Sequence, residues 1–141
     1  MATFNKANDW VDYLDEDVVA DTDQFVVALS NTAPASEASN PTADGNGTLS
    51  NVTQISYTNC STRNITTSSA SQSGGTKSLV FADLTLTASG GSVGPFRYVY
   101  VYDDSVTGDP IVGYYDYGSS ITLADGEELL INFAANFYTI A

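Results

Sequence analysis

Seventeen carboxylates and a single thiol are the side chains of this 141-residue sequence best suited to chemistry, and it contains no histidine. Cys60 sits in the polar run TNCSTRN. A nucleophilic thiol needs a neighbouring histidine or a cationic environment to become a thiolate, so Cys60 reads as a small filler side chain. Without histidine, histidine-dependent triads and histidine-ligated zinc sites are excluded. The acids gather in two places: Asp103, Asp104 and Asp109, and further upstream Asp15, Glu16, Asp17, Asp21 and Asp23. Calcium asks for about six to eight oxygens on a tight loop. The spacing of an EF-hand is absent, and both clusters read as a solvated turn and a solvated helix end. Paired carboxylates could serve a glycosidase, but nothing places two of them on facing strands of a cleft. The expectation is a protein that is not an enzyme, with no catalytic residue, no cofactor and no metal.

Charge narrows the partners. The formal net charge is −13, and only Lys6, Arg63, Lys77 and Arg97 are positive. Nucleic acid is recognised through a basic footprint, because phosphate contacts carry most of the affinity; no such footprint exists. Anionic membranes are disfavoured for the same reason. No run of roughly 18 apolar residues is present to cross a bilayer, and the start MATFNKANDW lacks the apolar core of a secretory signal. Asn-x-Ser/Thr sequons begin at Asn46, Asn51, Asn59 and Asn64; without a signal they read as chance in an Asn/Ser/Thr-rich stretch. A protein that assembles despite this charge must bury apolar area at the contact.

The elements that would hold these groups are mostly strands. Residues 4–19 carry Phe4, Ala7, Val11, Leu14 and Val18 at helical spacing, which predicts a short amphipathic helix. Its late acids oppose the helix dipole and favour fraying of the last turn. Its apolar face, widened by Trp10 and Tyr13, packs on the protein's own sheet or docks on a neighbouring subunit. Strands follow at 24–30 and 52–57, separated by a Pro/Gly/Ser/Asn-rich loop over 31–48. Residues 61–76 are small and polar; a flexible stretch and an exposed edge strand around Ile65 both remain open. From Lys77 the alternation sharpens through 77–88, 96–103, 111–117, 118–123, 129–133 and 136–140, with turns at 89–91, 104–110 and 124–128. About eight strands at this spacing predict one all-β domain over 1–141, an antiparallel β-sandwich of jelly-roll or immunoglobulin-like type behind one helix. A chain of this length buries roughly 70% of its unfolded surface and needs no disulfide.

The segment GPFRYVYVYDD, residues 94–104, is apolar on both faces. With Val99 and Val101 turned to an opposing sheet, Phe96, Tyr98, Tyr100 and Tyr102 face outward, extended by Tyr114, Tyr115 and Tyr117 on the next strand. Such a ladder is ordinary cross-strand packing, a partner interface, where tyrosine is enriched, or a platform for stacking sugars. The interface reading selects Phe4, Trp10, Val11 and Leu14 on the helix, and Phe96, Tyr98, Tyr100, Tyr102 and Tyr115 on the sheet.

The stretches FNKANDWVDYL, QFVVALSNTAP, GPFRY, PIVGYYDYGSSITLADGE and the terminal strand resemble those of small virion proteins of tailed bacteriophages, the capsid decoration or cement proteins and their relatives. About two thirds of the chain takes part, while residues 35–76 depart from the pattern. The resemblance implies a β-sandwich that binds the major capsid protein lattice on the outer surface of the shell, as a homo-oligomer, dimer or trimer. It implies manufacture in the bacterial cytoplasm and residence in the virion. The alternatives are a tail, baseplate or head-fibre component, or a carbohydrate-binding adhesion module. The resemblance carries over no catalytic residue.

Overall fold

The computed structural model describes residues 2–141, which are mostly β and contain one α-helix. A four-stranded antiparallel sheet runs in the order β1 (Phe4–Lys6), β7 (Ile111–Leu123), β6 (Val93–Asp103), β2 (Phe25–Ser30). A second sheet has the order β3 (Thr67–Ser73), β4 (Thr76–Phe81), β9 (Tyr138–Ile140), and a third pairs β5 (Leu84–Thr87) with β8 (Glu128–Ile131). Helix α1 spans Trp10–Glu16.

The helix is shorter than the spacing predicts, and its first turns are a strand instead. Phe4 pairs with Tyr115 across β1 and β7, and its ring lies 5.0 Å from both Tyr115 and Phe137. Asn5, Asn8 and Asp9 are weak helix formers, so tertiary pairing decides this segment. The carboxylate of Asp9 stands at the N-cap but accepts the N–H groups of Gly45 and Gly47 at 2.9 Å instead of capping α1. At the other end Asp17 and Val18 both donate to the Tyr13 carbonyl, and the helix stops within its acidic turn.

Residues 52–57 run extended but form no strand. Thr53 gives its N–H and hydroxyl to the Glu37 carboxylate, each at 2.8 Å, and Ile55 N–H reaches the Leu29 carbonyl. These single bonds go to different partners and make no ladder. In contrast, an edge strand does form in the polar stretch, but at residues 67–73, beyond Ile65, which is buried in the larger core; Gly74 and Gly75, both at positive φ, close it onto β4. Small polar side chains on that edge discourage pairing with other chains. The apolar run 77–88 divides at Ala82 and Asp83 into β4 and β5, which belong to different sheets; Asp83 Oδ1 accepts the Phe133 N–H there.

The hydrophobic interior has two parts. The larger collects Trp10, Phe25, Val27, Leu29, Leu79, Phe81, Leu86, Phe96, Val99, Val101, Ile131 and Phe133, drawn from all three sheets and α1. The smaller lies on the opposite face of the four-stranded sheet and holds Ala7, Val26, Ala28, Val52, Tyr98, Tyr100, Tyr102 and Ile111.

Candidate functional site

The tyrosine face is interior. Tyr98, Tyr100 and Tyr102 are all buried in the smaller core, with Ala33, Leu49 and Tyr114 packed against them. Tyr114 stands 6.1 Å from Tyr98 and 5.5 Å from Tyr100, in edge-on and tilted arrangements suited to aromatic pairs. The cover is the long loop between β2 and β3. Its polar groups fasten it: Leu49 N–H donates to the Asp109 carbonyl, Ile111 N–H to the Gly47 carbonyl, and Glu37 holds Thr53. Gly47 is needed for that approach, because a Cβ there would lie 2.7 Å from the Asp9 Cβ. Arg63 donates to the Val27 carbonyl at 2.6 Å, with its guanidinium 3.7 Å from the Tyr57 ring centre.

This corrects six of the nine interface residues read from the sequence. Trp10, Phe96, Tyr98, Tyr100, Tyr102 and Tyr115 are all buried by their own chain. Phe96 also sits on the valine side: the β6–β7 register shifts between Phe96 and Tyr98, so the two residues fall in different cores. Tyr98, Tyr100 and Tyr102 therefore offer no face for stacking sugars, while Tyr114 and Tyr117 are half-buried. Phe4 and Leu14 are half-buried against the larger core, and Val11 is 50% exposed.

Among the described residues, apolar surface is left open in two places. One is a groove between α1, the segment that follows it and β9. Val11, Leu14, Val18, Val19 and Ile140 line it, with Val19 54% and Ile140 44% exposed. Its border is acidic: Asp15 and Asp21 line it, while Asp12 and Glu16 line a separate polar hollow with Asn8, Asp9 and Asp44. Lys77 is there too, engaged by Asp21 at 2.6 Å. Strand β9 is the end strand of its sheet, so one edge is free. Sequence periodicity picks out Val11 and Leu14; Val19 and Ile140 join them only through the tertiary fold. The second surface, around Leu130 (55% exposed), has neutral walls made by Ala2, Tyr115, Tyr117 and Asn132.

The chemical groups are quiet, with one exception. Burial pushes the Cys60 thiol up, against a smaller opposing effect of Arg63, and so keeps it protonated. Among the described residues no group of three or more His, Cys, Asp or Glu side chains is arranged to hold a metal ion. Arg97 and Asp116 make a two-point ion pair at 2.7 and 3.1 Å, and the bond from Arg97 holds the Asp116 carboxyl below its ordinary range. The exception is Asp103. It is fully buried, not part of a solvated turn, and it lies within hydrogen-bond reach of Asp23. The fold thus joins one member of each acidic cluster. No family model, curated protein or solved structure matches this chain.

Proposed function

We propose that this chain is a virion structural protein that decorates the outer surface of a tailed-phage capsid and stabilises it by binding the major capsid protein lattice. The observation that carries the reading is the acid-bordered apolar groove of α1 and β9, left open on a protein that covers its tyrosine face by itself. The resemblance in sequence supplies the shell as the partner. We read the packing of the three sheets about the larger core as a β-sandwich of jelly-roll or immunoglobulin-like type.

The charge of each surface selects its occupant. A groove bordered by Asp15 and Asp21 on a chain carrying −13 repels another copy and favours a basic, apolar-anchored segment of the capsid protein. The neutral surface around Leu130 carries no such penalty and suits a second copy in a dimer or trimer. Stabilisation then follows mass action: a protein that binds only the assembled shell favours it by its differential affinity, and contacts repeated around a symmetry axis add by avidity.

The test is co-sedimentation with expanded heads that lack the protein. The expected result is saturable binding at hundreds of copies per head, reduced at least tenfold by the double variant Val11→Asp, Ile140→Asp with its melting temperature unchanged. Saturation at a few copies would favour the tail, baseplate or fibre alternative. Full binding by the double variant would remove the groove from the account.

A further inference from the structure

Asp103 ends β6 with its side chain sealed from solvent. Its Oδ1 accepts the Ser105 N–H at 2.9 Å, while its Oδ2 is buried with no hydrogen-bond partner. Asp23, in the segment between α1 and β2, uses Oδ2 to accept the Val19 N–H at 2.8 Å. The bonds of the next residue, Gln24, to Asp104 and Ser105 set the Asp23 carboxyl beside that of Asp103. Charging both carboxyls at once costs free energy where one of them is buried, and one proton between them satisfies both oxygens.

We propose that Asp23 and Asp103 share one proton, and that this proton is a latch tying the segment after α1 to the β6–β7 hairpin, alongside β9. The backbone already joins these parts: Asp104 N–H donates to the Gln24 carbonyl and Gln24 N–H to the Ser105 hydroxyl. The surrounding charges favour the protonated form. Asp21 and Asp23 come from the segment after α1, and Asp103 and Asp104 from the end of β6 and its hairpin. From β9 comes Tyr138, whose hydroxyl is buried without a partner. Burial, then Asp103, Asp23 and Asp21 in turn, push that phenol up to about 12, so it stays neutral. Lys77 on β4 is the cation at the edge of this group, and it is engaged by Asp21.

Burial first and the bond with Asp23 second move the Asp103 carboxyl from an ordinary 3.8 to about 7. That corresponds to roughly three orders of magnitude in proton affinity. The sign follows directly. The folded state holds the proton more tightly than the unfolded state, so the latch is complete below about pH 4. Its stabilisation is lost progressively between about pH 4 and pH 7 and is gone above that. Val18 and Val19 lie on the latched segment, so its release also loosens one wall of the groove. That consequence rests on the docking reading, whereas the latch stands without it.

The experiment pairs carboxyl carbon-13 NMR titration of the wild-type protein with melting temperatures from pH 4 to pH 9 for wild type, Asp103→Asn and Asp23→Asn. The expected result is an Asp103 carboxyl that titrates near neutrality in the wild-type protein. Wild type should lose stability relative to Asp103→Asn as pH rises. Amide exchange at residues 19–23 and 138–140 should accelerate at least tenfold more than in β6 between pH 5 and pH 8. An Asp103 carboxyl titrating near pH 4, or identical pH profiles in wild type and both variants, would overturn the proposal. So would a rise in melting temperature at pH 8 with millimolar calcium, seen in wild type and absent in Asp103→Asn, since a cation would then occupy the place of the proton. If the variants do not fold, the wild-type titration alone decides.

Discussion

Replacing Tyr100 separately by alanine and by phenylalanine distinguishes a ring that fills an interior from a ring that waits for a partner. Tyr100 is fully buried, packed 5.5 Å from Tyr114, with the loop acid Glu37 close enough to disfavour its ionisation. Truncating an aromatic side chain in such a place costs about 3–5 kcal/mol. At roughly 3 °C per kcal/mol for a chain of this size, the alanine variant should melt about 9–15 °C lower. The hydroxyl behaves differently. It is buried with no hydrogen-bond partner, a condition that costs about 1–3 kcal/mol. Phenylalanine keeps the ring and removes that burden, so it should match wild type or exceed it by about 1 kcal/mol. Urea unfolding at constant slope is the assay. An alanine variant that costs under ~1 kcal/mol, or a phenylalanine variant that costs as much as alanine, would refute the picture of a second core roofed by the β2–β3 loop.

Gly113→Ala should displace β1, because a Cβ there falls 2.3 Å from the Asn5 carbonyl oxygen and 2.6 Å from Phe4 Cζ; a loss of about 1–3 kcal/mol, with Asn5 and Lys6 amides exchanging faster, is expected. Acidification should weaken the Arg97–Asp116 contact: the Asp116 carboxyl is held below its ordinary value, so its stabilisation is present at neutral pH and lost as pH falls through its lowered titration range. A carboxyl NMR titration of wild type and Arg97→Gln reads this as an upward move of the Asp116 midpoint in the variant. Leu130→Glu adds charge to the neutral surface and should shift sedimentation towards the monomer, with the melting temperature of dilute protein changed by no more than about 2 °C, since the side chain is 55% exposed.

The sequence made the β content plain, and the turns at 89–91, 104–110 and 124–128 fall between the strands it marked. Alternation is a local signal, and the β6–β7 hairpin across 104–110 is a local structure, whereas the turns at 89–91 and 124–128 carry the chain from one sheet to another. Faces were harder. Tyr98 and Phe96 differ by two residues and should share a side, but the shift in pairing between them is set by β7, whose three extra residues around Gly118 leave no mark on β6. The cover of the tyrosines was hidden because it is a polar loop: residues 31–48 look like solvent-exposed sequence, yet they hold Pro34 buried and, with Leu49 just beyond them, present Ala33 to the smaller core. The dipeptide Gly74-Gly75 was a readable sign for the β3–β4 hairpin within the polar stretch, since a two-residue turn with positive φ at both positions favours glycine. Nothing local announces the Asp23–Asp103 contact, whose members lie far apart in the chain and in clusters that resemble ordinary solvated acids.

Electron microscopy of cognate expanded heads saturated with the protein tests the central claim most directly. The account predicts regular density over the shell lattice, with Val11, Val19 and Ile140 against basic residues of the capsid protein and the β2–β3 loop turned away from the shell. Contact through the β2–β3 loop with the α1–β9 groove open to solvent would contradict it, as would density confined to one vertex or to the tail.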